Sequence, residues 1–110
     1  MRKEGGNRMA SSPEYLEYVL DLLTDVPEVS HRKMMGEYLL YASGKLFGGV
    51  YDDRFLVKDT EASRAVLSTF EVPYEGASEM LLVDVEDRGA VAALVAEMLL
   101  ELPEPKRRRK

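Results

Sequence analysis

Cysteine is absent from this chain. No disulfide, thiolate nucleophile or thiolate metal site can form, and the composition fits a reducing compartment. Long apolar runs are missing too. None approaches the roughly 20 residues a helix needs to span a bilayer. The opening MRKEGGNRMASS is polar and Gly-rich, without the apolar stretch of a secretory signal. The expected location is cytoplasmic, with no membrane contact. Basic charge is scarce outside the C-terminus. The formal net charge is −5, and Lys106, Arg107, Arg108, Arg109 and Lys110 contribute +5, which leaves −10 on residues 1–105. An acidic body repels phosphate, so a nucleic-acid-binding face on the fold itself is not expected.

Catalytic signatures are missing as well. The chain has no Gly-x-Ser-x-Gly, no P-loop, no His-Glu-x-x-His and no Gly-x-Gly-x-x-Gly, the patterns that position nucleophiles, phosphates, zinc and dinucleotides. His31, the one histidine, has no nucleophile or metal ligand near it in sequence and reads as an exposed strand-edge residue. Asp52-Asp53 reads as a turn former rather than a cation grip. The expectation is a non-enzyme without cofactor or metal.

What is present is enough for one domain. The chain has 110 residues, 45% of them hydrophobic and 32% charged, a soluble globular composition. Residues 1–10 read as a flexible N-terminus, 11–103 as the domain and 104–110 as a basic tail. Ser12 is the expected N-cap of a first helix, with Pro13 at its first position, and Ser11 with Glu14 is an alternative capping box. Leu16, Val19, Leu20 and Leu23 fall at helical spacing, and Glu14, Glu17, Asp21 and Asp25 lie opposite, which makes the helix amphipathic. Pro27 ends it.

Ser30 to Lys58 then alternates short apolar runs with turn signals at Ser43-Gly44 and Asp52-Asp53. The pattern predicts a three-stranded antiparallel meander: Lys33 to Ala42, Leu46 to Tyr51 and Arg54 to Lys58. Gly36 marks a bulge or close approach within the first of these. Gly48-Gly49 inside the second costs backbone entropy, and the expected reason is a closely packed helix. Asp59 or Thr60 caps a second helix, whose small face of Ala62, Ala65, Val66 and Thr69 suits that role. Val72 to Ala77 is a loop, Met80 to Val83 a strand. Asp84 or Asp87 starts a last helix with its stripe at Val91, Leu94, Val95, Met98 and Leu102.

RKMMGEYLLYASGKLFGGVYDDRFLVK resembles the N-terminal domain of the TfoX/Sxy competence-regulator family in its stand-alone form. MASSPEYLEYVLDLL resembles the family's opening helix, PYEGASEMLLVD its later strand and LPEPK its Pro/Lys ending. The resemblance implies an α+β fold with secretion-chaperone-like architecture, in the order helix, three-stranded antiparallel meander, helix, strand, helix. It implies a regulatory role in competence or transcription through a protein partner, and it carries no enzymatic site. Many longer members have Met-Phe-Gly-Gly where this chain has Met34-Met35-Gly36-Glu37, and they carry a further C-terminal helical domain.

The expected interaction surface is the exposed side of the meander: Lys33, Glu37, Tyr41, Arg54 and Lys58, with Tyr74, Glu75 and Gly76 from the loop. Two alternatives stand beside it. The tail Lys106–Lys110 offers weak, salt-sensitive contact with nucleic acid, and the space at Gly48-Gly49 suits a small molecule. The partner expected is a protein, and the two partly apolar faces of the first strand also suit a homodimer.

Overall fold

The computed structural model describes residues 11–104. The expected N-terminal segment and the Lys106–Lys110 tail lie outside the described residues. The elements run α1 (Pro13–Leu22), β1 (Val29–Met34), β2 (Glu37–Ala42), β3 (Lys45–Val50), β4 (Phe55–Val57), α2 (Glu61–Val66), β5 (Phe70–Glu71), β6 (Met80–Leu82) and α3 (Arg88–Leu99). All six strands join one antiparallel sheet in the order β1-β2-β3-β4-β6-β5. The α+β class holds.

The meander has four strands rather than three. Met35 and Gly36 both have positive φ, 53° and 85°, and Met34 pairs with Glu37. Gly36 is therefore a turn residue, not a bulge. Ser43-Gly44 and Asp52-Asp53 repeat the same double positive-φ form, which matches the twist of the strands it joins. In the third turn Tyr51 and Arg54 exchange both backbone hydrogen bonds, at 2.9 and 3.0 Å. The irregularity in the ladder lies elsewhere. Leu40 pairs with Gly48 but Tyr41 pairs with Leu46, so Phe47 is the extra residue of a bulge, and it is fully buried.

The helices cover one face of the sheet. Ser12 Oγ accepts from the Tyr15 N–H at 3.1 Å and starts α1. Asp87 accepts from the Ala90 N–H at 2.8 Å and starts α3. Leu16, Val19, Leu22 and Leu23 from the α1 region and Val91, Leu94, Val95 and Met98 from α3 are buried against Tyr38, Leu40, Phe47, Val50, Phe55, Val57 and Leu81 of the sheet. Alternation along each strand puts the next residues, Leu39, Tyr41, Leu56, Lys58 and Leu82, on the other face.

The double glycine has a different cause from the one expected. A Cβ on Gly48 would sit 2.3 Å from the Leu56 carbonyl oxygen, and one on Gly49 would sit 2.6 Å from the Tyr38 carbonyl oxygen and 2.7 Å from the Tyr51 ring. Neighbouring strands and one aromatic ring take the space, not a helix. The second helix is a single short turn and a half. It buries Ser63, while Ala65 and Val66 are exposed. Thr60 caps it as expected, in a reciprocal box with Ser63.

Candidate functional site

Among the described residues no helix lies over the sheet's second face. A loop partly roofs it, and Arg54 holds that loop down. The guanidinium donates to the Glu71 carboxylate at 2.6 Å, the Val72 carbonyl at 3.3 Å and the Pro73 carbonyl at 3.2 Å, while Nε donates to the Tyr51 carbonyl at 3.1 Å. The loop then turns back on itself through the Ala77 N–H to Tyr74 carbonyl bond at 3.0 Å. Gly76 has φ +91° and open space around it, so conformation rather than crowding calls for glycine there. Tyr74 stands beside Tyr51 with ring centroids 6.2 Å apart.

Three adjoining cavities line this open face. The central one, about 550 Å³, lies along Gly48, Tyr51, Lys58, Tyr74, Gly76 and Met80. A second, about 460 Å³, shares Tyr51 and Tyr74 and continues over Leu39 and Glu37 to Met34 and Met35. The third, about 210 Å³, shares Leu46 and Lys58 and reaches Tyr41 and Glu104. Together they form a trough across the sheet. Its apolar end is conspicuously exposed: Met35 is 95% accessible, Met34 47% and Tyr74 51%. Met35 holds that exposure at positive φ, a conformation unusual for a bulky side chain.

The basic side chains of the described residues are not equivalent. Lys45, Arg54, Arg64 and Arg88 are ion-paired, with Glu104, Glu71, Asp59 and Asp21. Arg32, Lys33 and Lys58 have no acidic partner among the described residues. Lys58 is half-buried in the trough. Burial pushes the Tyr51 phenol above its ordinary pKa, and Tyr74, Glu37 and Tyr41 push the same way. Tyr51 is therefore a neutral wall of the trough at physiological pH.

The expected surface residues separate into groups. Tyr41, Lys58, Tyr74 and Gly76 line the trough. Glu75 is exposed on the loop beside it. Arg54 sits on the correct face but is occupied in fixing the loop. Glu37 is buried rather than exposed: its carboxylate accepts from Ser11 Oγ at 2.7 Å and the Asp52 N–H at 3.1 Å, tying the chain before α1 to the tips of two hairpins. Lys33 pairs with Tyr38 and so lies on the helix side of the sheet, beyond the helices' cover. Met34, Met35, Leu39 and Tyr51 were not singled out by the sequence, because an apolar residue on an open face has the same letter as one in a core. Among the described residues no group of three or more His, Asp or Glu is placed to hold a metal ion, and no helix is long and apolar enough to cross a membrane.

Fold and site together define a small α+β domain with an antiparallel sheet helix-covered on one face and grooved on the other. The chain belongs to the TfoX N-terminal domain family, whose pattern it matches over residues 21–79, from the end of α1 to the residue before β6. It is also 33% identical over 105 residues to a protein of Spirochaeta aurantia described as an uncharacterized 12.7 kDa protein in the trpE 5′ region, covering 92% of this chain and 91% of the relative. No solved structure matches the chain.

Proposed function

We propose that this domain is a non-enzymatic protein-docking module of the cytoplasm with a regulatory role in competence or transcription, and that its partner sits in the trough on the open sheet face. The observation that supports this reading most is the contrast in cover. One face is closed by α1 and α3, and the other leaves Met34, Met35, Leu39 and Tyr74 along one cavity and Lys58, without an acidic partner among the described residues, in the cavity that adjoins it. Exposed apolar area rimmed by polar groups is the ordinary mark of a contact surface. The partner chemistry that fits is an apolar protein segment carrying a carboxylate for Lys58. The acidic body argues against nucleic acid on this face.

The test compares proteins retained from a cell lysate by the wild type, by Lys58→Glu/Tyr74→Ala and by Glu17→Lys on the exposed side of α1. A partner kept by the first and third and lost by the second supports the reading. Identical partner sets overturn it. A second reading is favoured by the volume of the central cavity, which suits a small carboxylate-bearing ligand held by Lys58. A melting-temperature screen of small carboxylates tests it, since a ligand at a hundred times its Kd adds about 2.7 kcal/mol. No shift with any of them dismisses it.

A further inference from the structure

The strand β1 carries more than its packing requires. It lies at the end of the sheet, pairs with β2 alone, and five of its six residues are exposed. Its outer edge can be read from one bond. The Ser43 N–H donates to the Glu28 carbonyl at 3.0 Å, so Glu28 and Ser43 form a hydrogen-bonded pair. In an antiparallel ladder such pairs alternate. By the register, Ser30, Arg32 and Met34 therefore direct their backbone groups at β2. The N–H and C=O groups of Val29, His31 and Lys33 point away from the sheet, and no strand among the described residues meets them.

The side chains of that edge are chemically distinctive. His31, Arg32 and Lys33 are consecutive and exposed, and Arg32 and Lys33 have no acidic partner among the described residues. Alternation sends Arg32 to the trough face and His31 and Lys33 to the opposite one. A strand laid along β1 would thus meet cations on both its faces. At the Met34 end it would reach the apolar cavity of about 460 Å³ lined by Met34, Met35 and Leu39. A second copy of this chain is a poor occupant. Two β1 strands paired about a two-fold axis would bring their cations together, and like charges across a ladder are destabilising.

We propose that β1 is a docking edge for an extended acidic segment of a partner protein, added to the sheet as a seventh strand and ending in a bulky apolar residue at Met34-Met35. The inference rests on the protein-docking reading but uses the sheet edge rather than the trough. Backbone pairing supplies affinity in such strand addition, and side chains supply selectivity. A cationic edge also discourages aggregation, but that role alone predicts no attraction for an acidic strand.

The experiment titrates the full chain with two capped peptides, Glu-Val-Glu-Val-Glu-Val-Met and its counterpart with Lys for Glu, and follows amide hydrogen exchange. The Glu peptide should bind at least about tenfold more tightly than the Lys peptide, a difference of about 1.4 kcal/mol. On binding, exchange at the His31 and Lys33 amides should slow, while Ser30 and Arg32, already in the ladder, should change little. His31→Pro removes an outward N–H without breaking a ladder bond, so it should weaken binding while the unfolding midpoint falls only slightly, through loss of the edge-on ring contact with Tyr38 at 6.1 Å. If that variant fails to fold, Arg32→Glu/Lys33→Glu decides, because it leaves the backbone intact and should transfer preference to the Lys peptide. Equal affinity for the two peptides, no binding of either, or binding without protection of His31 and Lys33 overturns the proposal. If the edge fails while Lys58→Glu/Tyr74→Ala still loses a lysate partner, the trough reading survives it.

Discussion

Leu39 and Leu40 are neighbours in β2 and meet different worlds. Leu40 is fully buried beneath the helices, whereas Leu39 is half-buried in the trough. The same contrast runs across the sheet. On the helix side, apolar side chains from three layers of sequence converge into one core. On the open side, a single loop held by one arginine gives partial cover. A domain of this size needs one well-filled core. The second face can therefore stay open at little cost to folding.

The largest effect expected from breaking this contrast is on the covered face. Leu40→Ala should lower the unfolding free energy by about 2–5 kcal/mol, as cavity-forming changes do. Leu39→Ala should cost about 1 kcal/mol or less. Chemical denaturation of the pair measures the difference, and equal losses would mean the two faces are equally committed to the core.

Arg54→Ala probes the roof. It removes the bonds to Glu71, Val72 and Pro73 and should cost about 1–3 kcal/mol, because hydrogen bonds from a charged group are worth more than neutral ones. The amides of residues 72–79 should exchange faster while those of α3 do not. Uniform change across both would show that the loop is no separate unit.

A smaller effect is expected at high pH. The folded-state pKa of Tyr51 is raised, mainly by burial. Its contribution to stability is fully present below pH about 10, the unfolded value, and is lost as pH rises through the folded value. Tyr51→Phe should therefore weaken the alkaline decline in stability. An unchanged profile would place Tyr51 in water, and the trough with it.

Much of the covered half was legible in the letters. The stripes of α1 and α3 follow helical spacing between clear caps and prolines, and the turns at Ser43-Gly44 and Asp52-Asp53 use residues that tolerate positive φ. Met35-Gly36 was not legible as a turn. Methionine is not a turn former, and apolar residues on both sides make the run look like one strand. β1 was hidden for a related reason: an exposed edge strand has no buried face to impose alternation on Ser30-His31-Arg32-Lys33. For the site, the sequence indicated Tyr41, Lys58, Tyr74 and Gly76. It could not separate them from Arg54 and Glu37, whose partners lie 15 to 26 residues away in the chain. The small-residue face assigned to the second helix failed because strand backbones, not a helix, fill the space beside Gly48 and Gly49.

The most direct measurement is the unfolding free energy of a triple variant, Met34→Ser, Met35→Asn and Tyr74→Ser, which strips the exposed apolar groups from the open face. A value within about 1 kcal/mol of wild type is expected, since these side chains are surplus to the core and asparagine accepts the positive φ at position 35. A loss approaching that of Leu40→Ala would contradict the account, because the open face would then be holding the fold together as the covered face does.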